Sequence, residues 1–206
     1  QSGNILPYDS ALMPRQNWTS FISHAGIYSS PAVANGVIYT GTGDGNIYAI
    51  NASNGAKIWN LTLRSGAIGS SPAVTQETVY ISTSEAVYGL NALTGTKIWS
   101  FPVSAYASSP AVVNGLVYVG SSDGNVYALN ASNGFKVWNY TTGSLSGETP
   151  VVANGVVYIG GGRIYRGIYA LKALTGVKIW NHTTSWYQNS AILSAPAVAD
   201  NMVFYA

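Results

Sequence analysis

Apolar, β-branched and aromatic residues along this chain gather in short runs, and nearly every run stops at Gly, Asn or Asp. The pattern is clearest in SSPAVVNGLVYVGSSDGNVYALNASNGFKVWNYTT, residues 108–142. Runs of this length and composition between turn signals read as strands. Four follow in order: strand A from Ser109 to Val113, strand B from Leu116, strand C from Asn125 and strand D from Lys136. Strands B and C are apolar almost continuously rather than alternately, which predicts strands covered on both faces. Asn114-Gly115 joins A to B, Asp123-Gly124 joins B to C, and Asn133-Gly134 joins C to D. Asn-Gly and Asp-Gly are strong hairpin signals, because these residues take positive φ at little cost. Turns this frequent leave no room for helical periodicity.

Near-copies of the unit start at residues 29 and 70, and a looser one at 149. Pro recurs at Pro31, Pro72, Pro110, Pro150 and Pro196, and Trp at Trp18, Trp59, Trp99, Trp138 and Trp180. A repeat of about forty residues that holds four strands is the pattern of a β-propeller, one repeat per blade. The expected fold class is all-β: a single propeller domain over residues 1–206, with blade units near 29–63, 70–104, 108–142 and 149–184. A fifth blade is composite. SAPAVADNMVFYA, 194–206, supplies strands A and B. GNILPYDSALMPRQNWTSF, 3–21, aligns with GNIYAINASNGAKIWNLTL, 45–63, with one inserted residue, and supplies C and D. A five-bladed ring closed in this way has no open sheet edge between its first and last blades. Two other arrangements stay open. The chain is a piece of a longer propeller, or its ends pair between neighbouring subunits in a head-to-tail filament.

These residues resemble the PQQ-like repeat family of β-propellers, whose pattern runs SPAV, VYVGS.DG.LYALNA.TG, K..W. The likeness extends over residues 29 to 184. It implies the propeller fold but no single activity, because a fold hosts many functions. The family includes quinoprotein alcohol dehydrogenases, an outer-membrane assembly scaffold lipoprotein and assorted surface proteins. In the dehydrogenases, the resemblance implies, the quinone lies under eight blades with a Ca²⁺ held by carboxylates and amides, an Asp base and often adjacent cysteines.

Little of that set has a counterpart here. There is no Cys, so there is no thiolate ligand, disulfide or thiol nucleophile. The seven acids are Asp9, Asp44, Glu77, Glu85, Asp123, Glu148 and Asp200, and no two share a loop. Asp44 and Asp123 read as turn residues rather than metal ligands. His24 falls in a loop and His182 on an outer strand. Gly160, Gly161 and Gly162 sit at a hairpin, not between a strand and a helix, so they are no phosphate cradle. The expectation is no enzyme, no cofactor and no metal. Nine basic and seven acidic residues give a net charge of +2, which is no footprint for nucleic acid. Lys57, Lys97, Lys136 and Lys178 each stand two residues before a repeat Trp and belong to the repeat. No apolar stretch is long enough for a membrane-spanning helix, and membrane insertion is not expected.

Charged residues make up only 8% of the chain, against roughly 25% in an ordinary soluble protein. Six N-x-S/T sequons occur, at Asn17, Asn51, Asn60, Asn130, Asn139 and Asn181. All are expected on the rim, where sugar would supply the missing solvation. The loops joining B to C and D to A lie on one face of a propeller, and there the repeats diverge. The fourth unit replaces SSDGN by GGRIYRG and lengthens its last loop, which brings Arg163, Tyr165, Arg166, Trp186 and Tyr187 to that face beside Tyr28, Tyr106, His24 and Glu85. Aromatics with Arg suit recognition of carbohydrate or peptide by stacking and hydrogen bonding. Three readings follow. The first is a non-enzymatic, glycosylated, extracellular or cell-surface module (periplasmic as the alternative) that assembles with other protein subunits. The second is a glycan- or peptide-binding module, and the third is a fragment of a larger quinoprotein dehydrogenase.

Overall fold

The computed structural model describes residues 18–63, 66–103, 108–143, 148–161, 167–183, 195–200 and 202–205. The described residues form strands, turns and loops and no helix. The first blade holds β1 (Ala32–Ala34), β2 (Val37–Gly41), β3 (Asn46–Asn51) and β4 (Lys57–Thr62). The second holds β5 (Ala73–Val74), β6 (Thr78–Ser82), β7 (Ala86–Asn91) and β8 (Lys97–Pro102). The third holds β9 (Ala111–Val113), β10 (Leu116–Gly120), β11 (Asn125–Asn130) and β12 (Lys136–Thr141). The fourth holds β13 (Val151–Ala153), β14 (Val156–Gly161), β15 (Gly167–Lys172) and β16 (Lys178–Thr183). Each is an antiparallel four-stranded sheet in chain order, and β17 (Ala197–Ala199) with β18 (Met202–Phe204) makes a two-stranded one. The all-β propeller class read from the repeats is what the described sheets form.

The core lies between blades, not within one. One apolar cluster joins Tyr39, Ile47 and Ala49 of the first blade to Val79, Ile81 and Leu90 of the second. Two more join second to third and third to fourth. This is why β10 is buried along its whole length, as the unbroken apolar run requires.

Two details of the strands differ from the expectation. The Ser-Pro lead-in is not strand, and Ser29, Ser70 and Ser108 turn inward instead. Each Oγ accepts the N–H that ends strand B, from Gly41, Ser82 and Gly120 respectively. Every outer strand also carries a bulge, since Ala49 pairs with Trp59 while the next residue, Ile50, pairs with Lys57. The shift recurs in the other three blades. It turns Ile58, Ile98, Val137 and Ile179 outward and the Trp that follows toward the next blade.

Candidate functional site

The repeat tryptophans link one blade to the next. Trp18 Nε1 donates to the Ala52 carbonyl at 3.0 Å. Trp59, Trp99 and Trp138 donate to Ala92, Ala131 and Ala173, each at 2.9 Å. A tyrosine of the same blade reinforces three of these links, because Tyr39, Tyr80 and Tyr118 donate their hydroxyls to the same three carbonyls. The acceptor lies in the C–D turn of the next blade, and the indole lies flat over the Gly of that turn. Gly134 has φ of 74°, and a Cβ there would stand 2.5 Å from the Trp99 ring. Glycine therefore serves both the turn and the contact.

Trp180 departs from the series. It keeps its Tyr158 ring partner at 6.0 Å, as Trp138 keeps Tyr118 at 5.9 Å. Among the described residues no carbonyl takes its indole N–H. Trp180 is 39% exposed, against 7% for Trp99 and 9% for Trp138. The sequence expects it to be packed like the others; the difference is that no C–D turn follows it among the described residues. β18 beside it pairs only with β17, and Met202 and Phe204 are exposed.

The face formed by the B–C and D–A loops carries a shallow hollow of about 350 Å³ lined by Tyr28, Gly69, Ser70, Ser82, Thr83, Ser108, Ser109 and Thr149, among others. Its lining is hydroxyl and backbone, with no charged side chain. A tricarboxylate quinone has no basic partner there, and the described residues hold no cluster of three or more His, Cys, Asp or Glu. The lining does not fit a quinoprotein cofactor. Sequence reading placed Tyr28 on this face but missed Ser82, which stands where the other blades have Gly41, Gly120 and Gly160. It also missed Glu148, a buried acid at the position of Ser29, Ser70 and Ser108. Comparing each repeat column would have flagged both. Arg163, Tyr165, Arg166, Trp186 and Tyr187 lie outside the described residues, as do Tyr106 and Asn17.

Asp44 and Asp123 serve their turns. Ser23 Oγ donates to Asp44, and Thr42 also does. Those hydrogen bonds, Thr42 first, then Asn46 and Ser23, hold its carboxyl at about 2. Tyr127 donates to Asp123 at 2.6 Å, and burial, then that bond, pushes the phenol up to about 12. His24 meets the Phe21 ring edge-on at 4.8 Å. His182 lies 6.3 Å from the Tyr205 ring.

The sequon asparagines fall into two sets. Asn60, Asn139 and Asn181 are exposed on outer strands. Asn51 and Asn130 are half-buried, and their Oδ1 atoms accept the N–H and hydroxyl of Ser53 and Ser132. Asn91 does the same with Leu93 and Thr94 although it heads no sequon. The turn alone accounts for an Asn at this position.

A family model described as outer membrane protein assembly factor BamB (PQQ_2) matches residues 13–149. The chain belongs to that family. It is 31% identical over 119 residues to outer membrane protein assembly factor BamB of Escherichia coli (strain K12), which covers 51% of this chain and 30% of the relative. The chain thus spans about a third of the length of that relative. Among solved structures it resembles BamB from Moraxella catarrhalis, with a TM-score of 0.64 at 17% identity over 92% of this chain and 82% of that one. It also resembles a quinohemoprotein alcohol dehydrogenase from Comamonas testosteroni, with a TM-score of 0.72 at 15% identity over 88% and 39% of the two chains. At such identities the two likenesses speak for the propeller fold alone.

Proposed function

We propose that this BamB-family chain is a non-enzymatic propeller of the cell envelope or cell surface that acts as a structural and assembly module for other protein subunits. Family membership supports the envelope setting, since the matched relative is named as an outer membrane assembly factor. The neutral hollow and the single, turn-bound carboxylates support binding over catalysis. The domain is residues 1–206 with five blades, the fifth made from 194–206 and 3–21. Sugar on Asn60, Asn139 and Asn181 shields outer strands whose free edges carry only Lys57, Lys97, Lys136 and Lys178 against edge-to-edge pairing. An extracellular or cell-surface position follows from such sugar, and a periplasmic one from its absence.

One observation carries the assembly role. The Tyr158–Trp180 pair has the geometry of the linked pairs yet lacks an acceptor among the described residues. In this reading the acceptor is the C–D turn of residues 3–17, from the same chain in a closed ring or from another subunit in a polymer. That joint is the weakest of the ring. Pro14 stands four residues before Trp18, where the other turns place Gly55, Gly95, Gly134 and Gly176 before their Trp. Proline cannot take positive φ. A photo-crosslinking residue at position 180 tests the reading. Crosslinks to residues 3–17, within a chain or between chains as concentration rises, are expected. Crosslinks to neither contradict it. The hollow favours a second role in ligand binding.

A further inference from the structure

We infer that the hydroxyl-lined hollow on the B–C and D–A face is a binding site for a small neutral sugar, with Tyr28 as its stacking platform and Ser82 as its specific hydrogen-bonding group. The inference stands apart from the assembly role and from Arg163, Tyr165, Arg166, Trp186 and Tyr187.

Ser82 is the starting point. The repeat requires Gly at this place, because a Cβ on Gly41 would lie 2.5 Å from Ile68 Cγ2 and one on Gly120 would lie 2.6 Å from the Glu148 carbonyl oxygen. The second blade alone carries a side chain here. Ser82 is 1% exposed, lines the hollow, and its Oγ has no hydrogen-bond partner. A buried hydroxyl without a partner is unfavourable, and an acceptor or donor arriving in the hollow would relieve it.

The rest of the lining sets the class of ligand. Ser70, Thr83, Ser109 and Thr149 offer hydroxyls, and a hydroxyl has one donor and two acceptor sites, more than the bonds seen here use. The lining has no charge to neutralise an ionic ligand. Tyr28 is 70% exposed at the edge, and its ring is available to stack on the C–H face of a pyranose. A volume of about 350 Å³ suits one or two sugar rings. A peptide strand is disfavoured. The inner-edge N–H of Ser30 is already taken by Ser71 Oγ, and that of Ser71 by Ser109 Oγ, so these donors are closed to strand addition.

Glucose, N-acetylglucosamine, maltose and cellobiose are the probes, titrated into the full chain and read by saturation-transfer NMR and calorimetry. At least one is expected to bind in the millimolar range or tighter. Tyr28→Ala is expected to weaken that probe at least about tenfold, and Ser82→Gly about fivefold or more. Ser82→Gly restores the residue of the other blades, so its melting temperature should equal or exceed that of the parent, and lost binding cannot be blamed on misfolding. The inference is overturned if none of the four probes binds, or if one binds equally well to the parent and to both variants. It is equally overturned if a neutral Gly-Ser-Ala tetrapeptide binds and competes while the sugars do not.

Discussion

β10 and β18 occupy the same place in their blades and carry similar residues, Leu116-Val117-Tyr118-Val119-Gly120 against Met202-Val203-Phe204. Every residue of β10 is buried, whereas Met202 and Phe204 are 53% and 52% exposed. The difference does not lie in the strands. β10 has β9 and β11 on its edges and blades on both faces; β18 has β17 alone on its edges among the described residues. Burial here is conferred by neighbours, and the same holds for Trp138 and Trp180. A blade without a successor keeps its apolar face and its indole open, and in the reading above that opening is where the ring joins itself or another subunit.

The largest expected effect tests this contrast directly. Trp138→Ala should cost about 3–5 kcal/mol, because a buried ring, its indole bond and its contact with Gly176 are lost together. Trp180→Ala should cost under about 1 kcal/mol, as expected for a partly exposed side chain without a fixed partner. Urea denaturation of the two variants at equal protein concentration checks both; equal losses would remove the contrast. Next in size is Gly134→Ala. Its positive φ and the Trp99 ring 2.5 Å from the new Cβ predict a loss of about 1–3 kcal/mol. A variant as stable as the parent would mean that the turn relaxes freely.

Smaller effects sharpen the comparison. Tyr118→Phe removes a hydroxyl bonded to the Ala173 carbonyl at 3.1 Å and should cost about 1 kcal/mol. Tyr158→Phe, on the open blade, should cost close to nothing by the same measurement. The smallest effect is a pH dependence at the opposite end of the array. Asp44, held by Thr42, Asn46 and Ser23, has a folded pKa of about 2 against an ordinary 3.8. The folded state thus binds this proton more weakly than the unfolded state does. The contribution is fully present above the ordinary value and is lost as pH falls toward about 2. Urea midpoints between pH 2 and 6, given as approximate bounds by that linkage, should slope less in Asp44→Asn than in the parent.

Much of the fold was legible because the repeat is written several times over. Asn35-Gly36, Asn114-Gly115 and Asn154-Gly155 all sit at positive φ in the A–B turns, as their residue types demand. The bulge in every outer strand was not legible. The sequence shows Lys-Ile-Trp or Lys-Val-Trp and cannot say which of the last two faces the neighbour until the pairing is known. The exposure of Trp180 was hidden for a similar reason, since its own repeat is intact and the missing partner belongs to another blade. The candidate site was read on the right kind of surface but from substitutions to large residues. Ser82 was passed over because serine is common in this chain, and only the closeness of the backbone around Gly41 and Gly120 makes a serine there unusual.

The most direct measurement is amide-style hydrogen exchange at the tryptophan side chains, followed by NMR on ¹⁵N-labelled protein at low concentration. The indole N–H groups of Trp18, Trp59, Trp99 and Trp138, each bonded to a carbonyl of the next blade, should exchange slowly. That of Trp180 should exchange much faster, and should slow as concentration rises if subunits meet at this joint. Protection of Trp180 equal to that of the other four at every concentration would contradict the account, because the joint would then be as firmly closed as the rest.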